Sequence, residues 1–357
     1  VRYMETGNAS TPQQCRHRWL GWLLKYAIPV VISFGLCWLL FTGVDFGDMV
    51  GIIRGECNFW WIALALSISV LSHILRAVRW GMQLRALGID TPMFPLILSI
   101  FGTYSVNLVF PRLGEVWRTG YIAHRQGAQF ATVFGSMVAD RLADMFTALV
   151  ITVFTFILAA GAFTQYVAGN AATYAHIAGY VSSPLLWIAL AACVVLVWWF
   201  FAHKTSNPAM LKAKAAVREL WAGFAAIFTM PGKGLWLLLT VGIWGCYFVQ
   251  MLVVFQAFGF TAEVASHDGV TAVLVTFVLS SIAMGVPSNG GIGPWQWAVI
   301  FALGIYGVDR VHAGAFANVV LGTQTLLLIF LGIFTFASIA LMRRKARSTQ
   351  NINNLKK

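Results

Sequence analysis

Asn107-Leu-Val-Phe-Pro-Arg-Leu-Gly-Glu-Val-Trp-Arg118 separates two long apolar runs with a proline, a glycine and three charged side chains. We call this stretch the first motif. Within a bilayer, a charge and an interruption of the helix are both costly, so their combination between apolar runs indicates a specialised element. A second motif, Val286-Pro-Ser-Asn-Gly-Gly-Ile-Gly-Pro294, lies far downstream and repeats the Pro-x-x-Gly spacing. Together the two motifs predict a membrane protein built from two related halves.

The composition of the chain is that of a membrane protein. Apolar residues make up 59% and charged residues only 10%, whereas soluble domains carry about 25% charged residues. The net charge of +12 does not indicate nucleic-acid binding, because the basic residues flank apolar runs and form no patch or reading motif. Contact with anionic lipid headgroups accounts for them better. We therefore expect membrane phospholipids or glycolipids as partners, and no nucleic acid.

The sequence carries no motif of covalent, metal or nucleotide chemistry. The five cysteines are scattered, and no Cys-x-x-Cys, His-Glu-x-x-His, Gly-x-Ser-x-Gly or phosphate-binding loop occurs. These patterns are the usual signatures of metal sites, nucleophilic catalysis and nucleotide binding. We therefore expect no cofactor, no metal, no catalytic residue and no enzymatic activity.

Hydropathy predicts six full membrane spans. Each predicted span has the length and apolar character that a crossing of the bilayer requires, about 20 residues. The spans lie at about 26–43, 58–75, 184–202, 235–258 and 314–342, with one more ending near 163. We expect loops at 44–57 and 259–268. Arg76 and Arg79 follow the second span, and we interpret them as charge anchors at a helix end.

Two further apolar segments carry the motifs and are predicted to be re-entrant. If 92–110 crossed the membrane completely, Arg112, Arg118 and Arg125 would lie outside, against the positive-inside rule. A hairpin that enters and returns keeps both ends on the basic side. The segment 269–307 has the same apolar–break–apolar form and would enter from the opposite side. The alternative is eight full spans with both motifs in loops.

The sequence therefore predicts an all-α polytopic membrane protein with two inverted-topology repeats. Each repeat has three transmembrane helices and one re-entrant helical hairpin, which makes about eight hydrophobic segments. Such repeats with broken helices are a recurrent transporter plan. The predicted parts are a cytoplasmic segment at 1–25, a first repeat at 26–163 with its re-entrant unit at 92–130, a second repeat at 164–342 with a cytoplasmic amphipathic helix at 203–232 and a re-entrant unit at 269–307, and a basic cytoplasmic tail at 343–357.

The charged residues of the first motif are candidates for headgroup binding. If 112–126 is helical, Arg112, Glu115 and Arg118 are spaced i,i+3 and share one face. A helix N-terminus favours anions, and an arginine fork binds phosphate with two hydrogen bonds. The functional interpretation is a phospholipid headgroup site. The alternative is a salt-bridge ladder on a solvated face, and the sequence leaves both open.

A second charged group follows at Asp140, Arg141 and Asp144, which lie within about 100° of helix arc. They either face a polar cavity beside the first motif or sit at the membrane interface and fix a helix end. Three polar residues in the motifs either bind the headgroup or satisfy unwound backbone. They are Asn107, Ser288 and Asn289.

The first motif, the stretch Val138-Ala-Asp-Arg-Leu-Ala-Asp144 and the second motif resemble the transmembrane flippase part of lysylphosphatidylglycerol synthase/flippase proteins. The resemblance covers about 20–340. It implies movement of aminoacylated or other phospholipids between leaflets of the bacterial inner (cytoplasmic) membrane and, for some members, resistance to cationic antimicrobial peptides. We expect a stand-alone member without the soluble synthase domain. The resemblance carries site roles to Arg112, Glu115, Arg118, Asp140, Arg141 and Asp144.

The expected function is that of a lipid translocator. A phospholipid, aminoacylated or not, or a glycolipid would pass through a polar cavity between the re-entrant helices, and both chain termini would be cytoplasmic. The alternative is a membrane enzyme or accessory factor in lipid-linked sugar or hopanoid metabolism; a third hypothesis is a helper subunit without substrate. Assembly as a homo-oligomer and pairing with a separate lipid-synthesis enzyme both stay open.

Overall fold

The computed structural model describes residues 46–161, 230–286 and 288–355, together with single residues between 164 and 214. This part of the chain is helical and contains no strand. Its ten helices are α1 (Phe46–Glu56), α2 (Phe59–Ala86), α3 (Met93–Val109), α4 (Leu113–Gln126), α5 (Phe130–Leu158), α6 (Lys233–Phe255), α7 (Gly259–His267), α8 (Gly269–Ala283), α9 (Pro294–Ile305) and α10 (Arg310–Leu355). The predicted segments 1–25, 26–43, 184–202 and 203–232 lie outside the continuously described residues, apart from the last three residues of 203–232.

Among the described residues, four helices are long and apolar enough to cross a membrane. They are α2, α5, α6 and the Arg310–Met342 part of α10. The α7–α8 pair is bent by 116° and gives a fifth candidate if it is counted as one span. The protein is therefore a multi-pass membrane protein, and the spans predicted from hydropathy in these four regions are confirmed.

Two segments predicted as loops are helices. The region 44–57 contains α1, which packs against α10, and 259–268 contains α7, which packs against α8. The Thr261 hydroxyl donates hydrogen bonds to the carbonyls of Phe255 and Phe258 and so links α7 to the end of α6. Short helices are hard to distinguish from loops by hydropathy, which measures composition rather than local hydrogen bonding.

The two motifs lie in helical hairpins. In the first hairpin, α3 and α4 are joined by a break at 110–112; in the second hairpin, α8 and α9 are joined by a break at 284–293. The helices of each hairpin pack against each other. With 17, 14, 15 and 12 residues, these helices are about 18–25 Å long, shorter than the roughly 30 Å hydrocarbon core. Re-entry of either hairpin from one side of the membrane stays a prediction.

Glycine allows the close crossing inside the first hairpin. A Cβ at Gly114 would lie 2.1 Å from the carbonyl oxygen of Thr103, and a Cβ at Gly102 would lie 2.3 Å from the ring of Trp117. The amide of Gly114 also donates a 2.8 Å hydrogen bond to Oδ1 of Asn107. Because only a residue without a side chain fits between these atoms, the sequence fixes how closely α3 and α4 approach.

The two breaks contact each other although more than 170 residues separate them in the chain. Nη2 of Arg112 donates a 2.9 Å hydrogen bond to the carbonyl of Gly285. Leu108 packs so close to Gly290 that a Cβ there would lie 2.6 Å from Cδ2 of the leucine. The ends of the two hairpins therefore meet, and the hydrogen bond that joins them is exposed.

Candidate functional site

Seven charged side chains gather between α2, α4 and α5, on the side of α2 that faces the first hairpin. We call them the buried charge cluster. Helix α2 contributes two of them; it packs against α3, α5, α6 and α10 and so lies at the centre of the described fold. The cluster consists of Arg76, Arg79, Glu115, Arg118, Asp140, Arg141 and Asp144.

The centre of the cluster is a set of ion pairs between α2 and α5. Nη2 of Arg79 lies 2.7 Å from Oδ1 of Asp140 and 2.7 Å from Oδ1 of Asp144. Arg76 donates a short hydrogen bond to Oδ2 of Asp144. Arg79 and Asp140 have no exposed side-chain surface. Since buried ion pairs are tolerated only with good geometry and further hydrogen bonds, these contacts specify how α2 and α5 pack.

Helix α6 supplies two of those further hydrogen bonds. The hydroxyl oxygen of Thr240 accepts a 3.2 Å hydrogen bond from Nη1 of Arg79. The phenol oxygen of Tyr247 accepts a 3.0 Å hydrogen bond from Nη2 of Arg76. Both arginines are thereby held from two sides, and their heads cannot turn away from the aspartates without losing several bonds.

The rim of the cluster is formed by the first hairpin together with Arg141 of α5. Nη2 of Arg141 lies 2.6 Å from Oε1 of Glu115, and Oε2 of the same carboxylate accepts a 3.2 Å hydrogen bond from Asn107. The side chains of Arg141 and Glu115 are 32% and 17% exposed. They are thus the part of the cluster that a molecule outside the helices reaches first.

Arg118 is the member of the cluster with the fewest partners. Its guanidinium is fully buried and lies 4.3 Å above the ring of Trp80, a cation–π contact. Its nearest carboxylate oxygen, Oδ2 of Asp140, is 3.8 Å away, beyond hydrogen-bond length. Within the described residues none of its three side-chain nitrogens has a hydrogen-bond partner. A cation without hydrogen bonds is costly in a buried site, and a cation–π contact, worth about 2 kcal/mol when desolvated, offsets only part of that cost.

Helical spacing explains why the pairs form. Asp140 and Asp144 are one turn apart on α5, and Arg76 and Arg79 are about one turn apart on α2. Each pair therefore projects from one face of its helix, and two facing helices bring opposite charges together. In the sequence, this arrangement could have been predicted from two arginines one turn apart in one predicted helix and two aspartates one turn apart in another.

The structure brings together six of the nine residues that the sequence indicated. These six contact one another directly or through one intermediate; three of them, Arg118, Asp140 and Asp144, are buried, and the other three are partly exposed. The six are Asn107, Glu115, Arg118, Asp140, Arg141 and Asp144.

Arg112 does not share a helical face with Glu115 and Arg118, and that prediction is wrong. Its φ of 62° is left-handed, so α4 begins only at Leu113 and Arg112 belongs to the break. Among the described residues it is the one non-glycine with a positive φ, which costs about 1–2 kcal/mol. Its side chain turns towards the second break instead.

Ser288 and Asn289 lie half-buried in the second break. Oδ1 of Asn289 is buried, and no described residue donates a hydrogen bond to it. A binding role for either residue stays a prediction.

Arg76 and Arg79 were missed as site residues, and their interpretation as anchors at a helix end is wrong. The apolar run that ends near residue 75 suggested a helix end, but α2 continues to Ala86. The two arginines consequently lie inside the helix and are 3% and 0% exposed.

The cluster offers no set of ligands for a metal. Every carboxylate in it has an arginine within 4 Å. The described part of the chain also holds no group of three or more His, Cys, Asp and Glu side chains suited to a metal ion.

Long apolar helices around a buried charge cluster define a multi-pass membrane protein with a polar interior. A family model described as the lysylphosphatidylglycerol synthase TM region matches residues 26–332. The chain therefore belongs to this family, and the resemblance carried by the two motifs and by 138–144 is confirmed. Neither a curated protein nor a solved structure matched the chain.

Proposed function

We propose that the protein moves a lipid between the leaflets of the membrane. The headgroup passes between the two hairpins and beside the buried charge cluster, while the acyl chains stay in the bilayer. Membership in the lysylphosphatidylglycerol synthase TM family suggests a lipid-related, flippase-like role. The observation that carries the proposal is the fully buried, hydrogen-bond-deficient Arg118 inside a bundle of apolar spans.

Ionisable residues within apolar spans support a transport role. They are expensive in a membrane and usually mark the path of a substrate or an ion. In this chain they lie next to a hairpin whose helices are too short for a full crossing, and the end of that hairpin meets the end of a second one. Broken helices that meet near a polar site are the arrangement by which many transporters expose a site alternately to the two sides.

The charged residues divide into three roles in this proposal. Arg118 binds the lipid phosphate, and Glu115, Asp140 and Asp144 balance the arginines while the site is empty. Arg112 holds the two breaks together through its bond to Gly285. The lipid is a phospholipid, aminoacylated or not, or a glycolipid, and the protein resides in the bacterial inner membrane with both termini in the cytoplasm.

Lipid movement in proteoliposomes tests this function. Purified protein is reconstituted with a trace of phospholipid that carries a fluorophore on one acyl chain, and the outer-leaflet fraction is followed by chemical quenching. We expect the wild type to expose labelled lipid faster than empty vesicles and the Arg118→Gln variant to be slow. Arg85→Gln is the matched control, because Arg85 pairs with Asp90 on the exposed surface, with both side chains more than two-thirds exposed.

The reconstituted protein must be folded for either result to count, which size-exclusion elution and thermal unfolding establish. No exposure above empty vesicles with any phospholipid, in folded wild-type protein, would refute the proposed function. If the wild type and the Arg118→Gln variant expose labelled lipid at equal rates, the protein translocates lipid but the buried charge cluster is not part of the lipid path.

A further inference from the structure

We infer that the buried charge cluster selects lipids whose headgroup is net anionic, through a phosphodiester bound by Arg118, and disfavours headgroups with an added ammonium group. This inference rests on the proposed function, since it names the substrate class of the same site. The carboxylates of the cluster are already paired with arginines, whereas Arg118 makes no hydrogen bond to any described residue.

The two aspartates are engaged by the arginines of α2. One oxygen of Asp144 accepts from Arg79 and the other from Arg76. Oδ1 of Asp140 accepts from Arg79, and its Oδ2 lies 3.7 Å from Nη1 of Arg76. An incoming ammonium group would have to displace a guanidinium to reach Asp144 or Oδ1 of Asp140. Oδ2 of Asp140 accepts no hydrogen bond from the described residues, but it is buried between Arg76 and Arg118, 3.7 and 3.8 Å away, so an ammonium group would approach it against two cations.

The glutamate at the rim is engaged as well. One of its oxygens accepts from Arg141 and the other from the side-chain amide of Asn107. Glu115 is therefore not a ready partner for an amine, although it is the most accessible carboxylate of the cluster. Within the described residues the cluster offers no carboxylate oxygen that lacks an arginine or amide close by.

The unbalanced charge of the cluster is positive. Four guanidinium groups face three carboxylates, and Arg118 is the one whose nitrogens make no hydrogen bond in the described part of the chain. A phosphodiester has two non-bridging oxygens and one negative charge. It matches the planar fork of a guanidinium with two charge-assisted hydrogen bonds, which are the strong ones in a site shielded from water.

The rim gives the headgroup its way to Arg118. Glu115 lies one turn before Arg118 on α4, and its partner Arg141 is the most exposed arginine of the cluster. A phosphate that reaches Arg141 displaces the carboxylate of Glu115 and then meets Arg118 one turn deeper. A lysyl or other cationic headgroup is repelled at the rim, because it meets the guanidinium of Arg141 while the carboxylate of Glu115 is still paired with that arginine.

The test compares headgroups of different charge on one acyl-labelled backbone in the proteoliposome assay. The probes are phosphatidylglycerol, phosphatidylethanolamine and lysylphosphatidylglycerol, which carry net negative, zero and positive charge. Because the approach of like charges is unfavourable, we expect wild-type protein to move phosphatidylglycerol about tenfold or more faster than lysylphosphatidylglycerol. Arg118→Gln should level the three rates, and Arg118→Lys, which keeps the charge without the fork, should retain part of the preference.

The wild-type comparison decides the inference even if a variant at Arg118 fails to fold. Equal rates for the three headgroups, or fastest movement of lysylphosphatidylglycerol, would overturn the anionic preference while translocation itself stands. Absence of movement for every lipid would overturn the proposed function instead.

A separate arm distinguishes a lipid headgroup from free phosphate. Inorganic phosphate is added on both sides of the vesicles at constant ionic strength. We expect it to slow phosphatidylglycerol movement only weakly, because it lacks the acyl chains that bring the headgroup to the rim. Strong inhibition by phosphate without any difference between headgroups would assign the site to the free ion and contradict the lipid assignment.

Discussion

At the residue scale, the decisive feature is that Asp144 contacts three arginines. It accepts hydrogen bonds from two arginines of α2, and a third arginine, Arg141, lies 4.0 Å away. In a buried site the loss of one charged partner leaves the other charges uncompensated, which is far more costly than the loss of an exposed pair. The cluster therefore holds α2 and α5 together as well as lying in the proposed lipid path.

Neutralising Asp144 is expected to destabilise the protein strongly. Asp144→Asn leaves two buried guanidinium groups short of charge, a situation that lowers the free energy of unfolding by about 3–5 kcal/mol. The exposed pair of Arg85 and Asp90, 3.3 Å apart, provides the control, and Asp90→Asn should change stability by less than about 1 kcal/mol. Thermal unfolding in detergent measures both. Similar shifts in melting temperature for the two variants would contradict the view that the ion pairs of the cluster are shielded from water.

A second prediction at this scale concerns Asp309, just before α10. Partial burial works to raise its pKa, but hydrogen bonds from the amides of His312 and Val311 and from the His312 ring prevail, so the pKa lies below its ordinary value. A depressed folded-state pKa gives stability that is present above the unfolded pKa of about 4 and is lost as pH falls through the folded value.

The matched variant is Asp309→Asn, since asparagine caps a helix as well as aspartate and does not titrate. We expect the wild type to have the higher melting temperature near neutral pH and this advantage to shrink below about pH 4. Melting curves of both proteins across the acid range measure it. A difference that does not change with pH would show that the carboxylate charge contributes nothing to the start of α10.

At the scale of the helices, the first hairpin depends on two glycines, Gly102 and Gly114, and the second of these sets the position of α4. Gly114 brings α4 onto the backbone of α3, which places Glu115 at the rim and Arg118 at the buried end of the cluster. A methyl group added at Gly114 would push α4 away from α3 and would therefore move Arg118, the residue proposed to bind the lipid phosphate. Stability and lipid movement should fail together when this crossing is altered.

Gly114→Ala and Gly120→Ala form a matched pair on α4. The first puts a Cβ 2.1 Å from a backbone carbonyl oxygen, and overpacking of this kind costs about 1–3 kcal/mol. The second meets nothing within 4 Å and should raise stability by up to about 1 kcal/mol, because alanine is the better helix former. Thermal unfolding combined with the lipid-exposure assay checks both. An innocuous Gly114→Ala would contradict the close crossing.

Hydropathy and spacing predicted the four spans that lie within the described residues and five of the seven residues of the cluster. Besides the two short helices predicted as loops, they missed two features of the site for physical reasons. The depth of Arg76 and Arg79 depends on what packs around α2, and an apolar run that ends before them says only where the composition changes. The direction of Arg112 depends on a left-handed φ in the break, which no helical pattern encodes. By contrast, Glu115 and Arg118 were correctly placed together because both lie within one regular helix.

At the scale of the whole molecule, the two hairpins meet at their breaks. Arg112 bonds to Gly285, and Leu108 packs against Gly290. In the proposed function the headgroup passes between these hairpins, so the contact between the breaks must open during transport. Three glycines of the second break have positive φ, a backbone conformation that other residues adopt only with strain.

A reversible cross-link between the breaks tests this claim most directly. Leu108→Cys and Gly290→Cys are introduced together after the five native cysteines are replaced by alanine. A cysteine at the left-handed Gly290 costs about 1–2 kcal/mol, and the reduced form of the same protein controls for that strain. We expect oxidation to stop lipid exposure and a reductant to restore it. Undiminished exposure by fully cross-linked protein would contradict passage of the headgroup between the two hairpins.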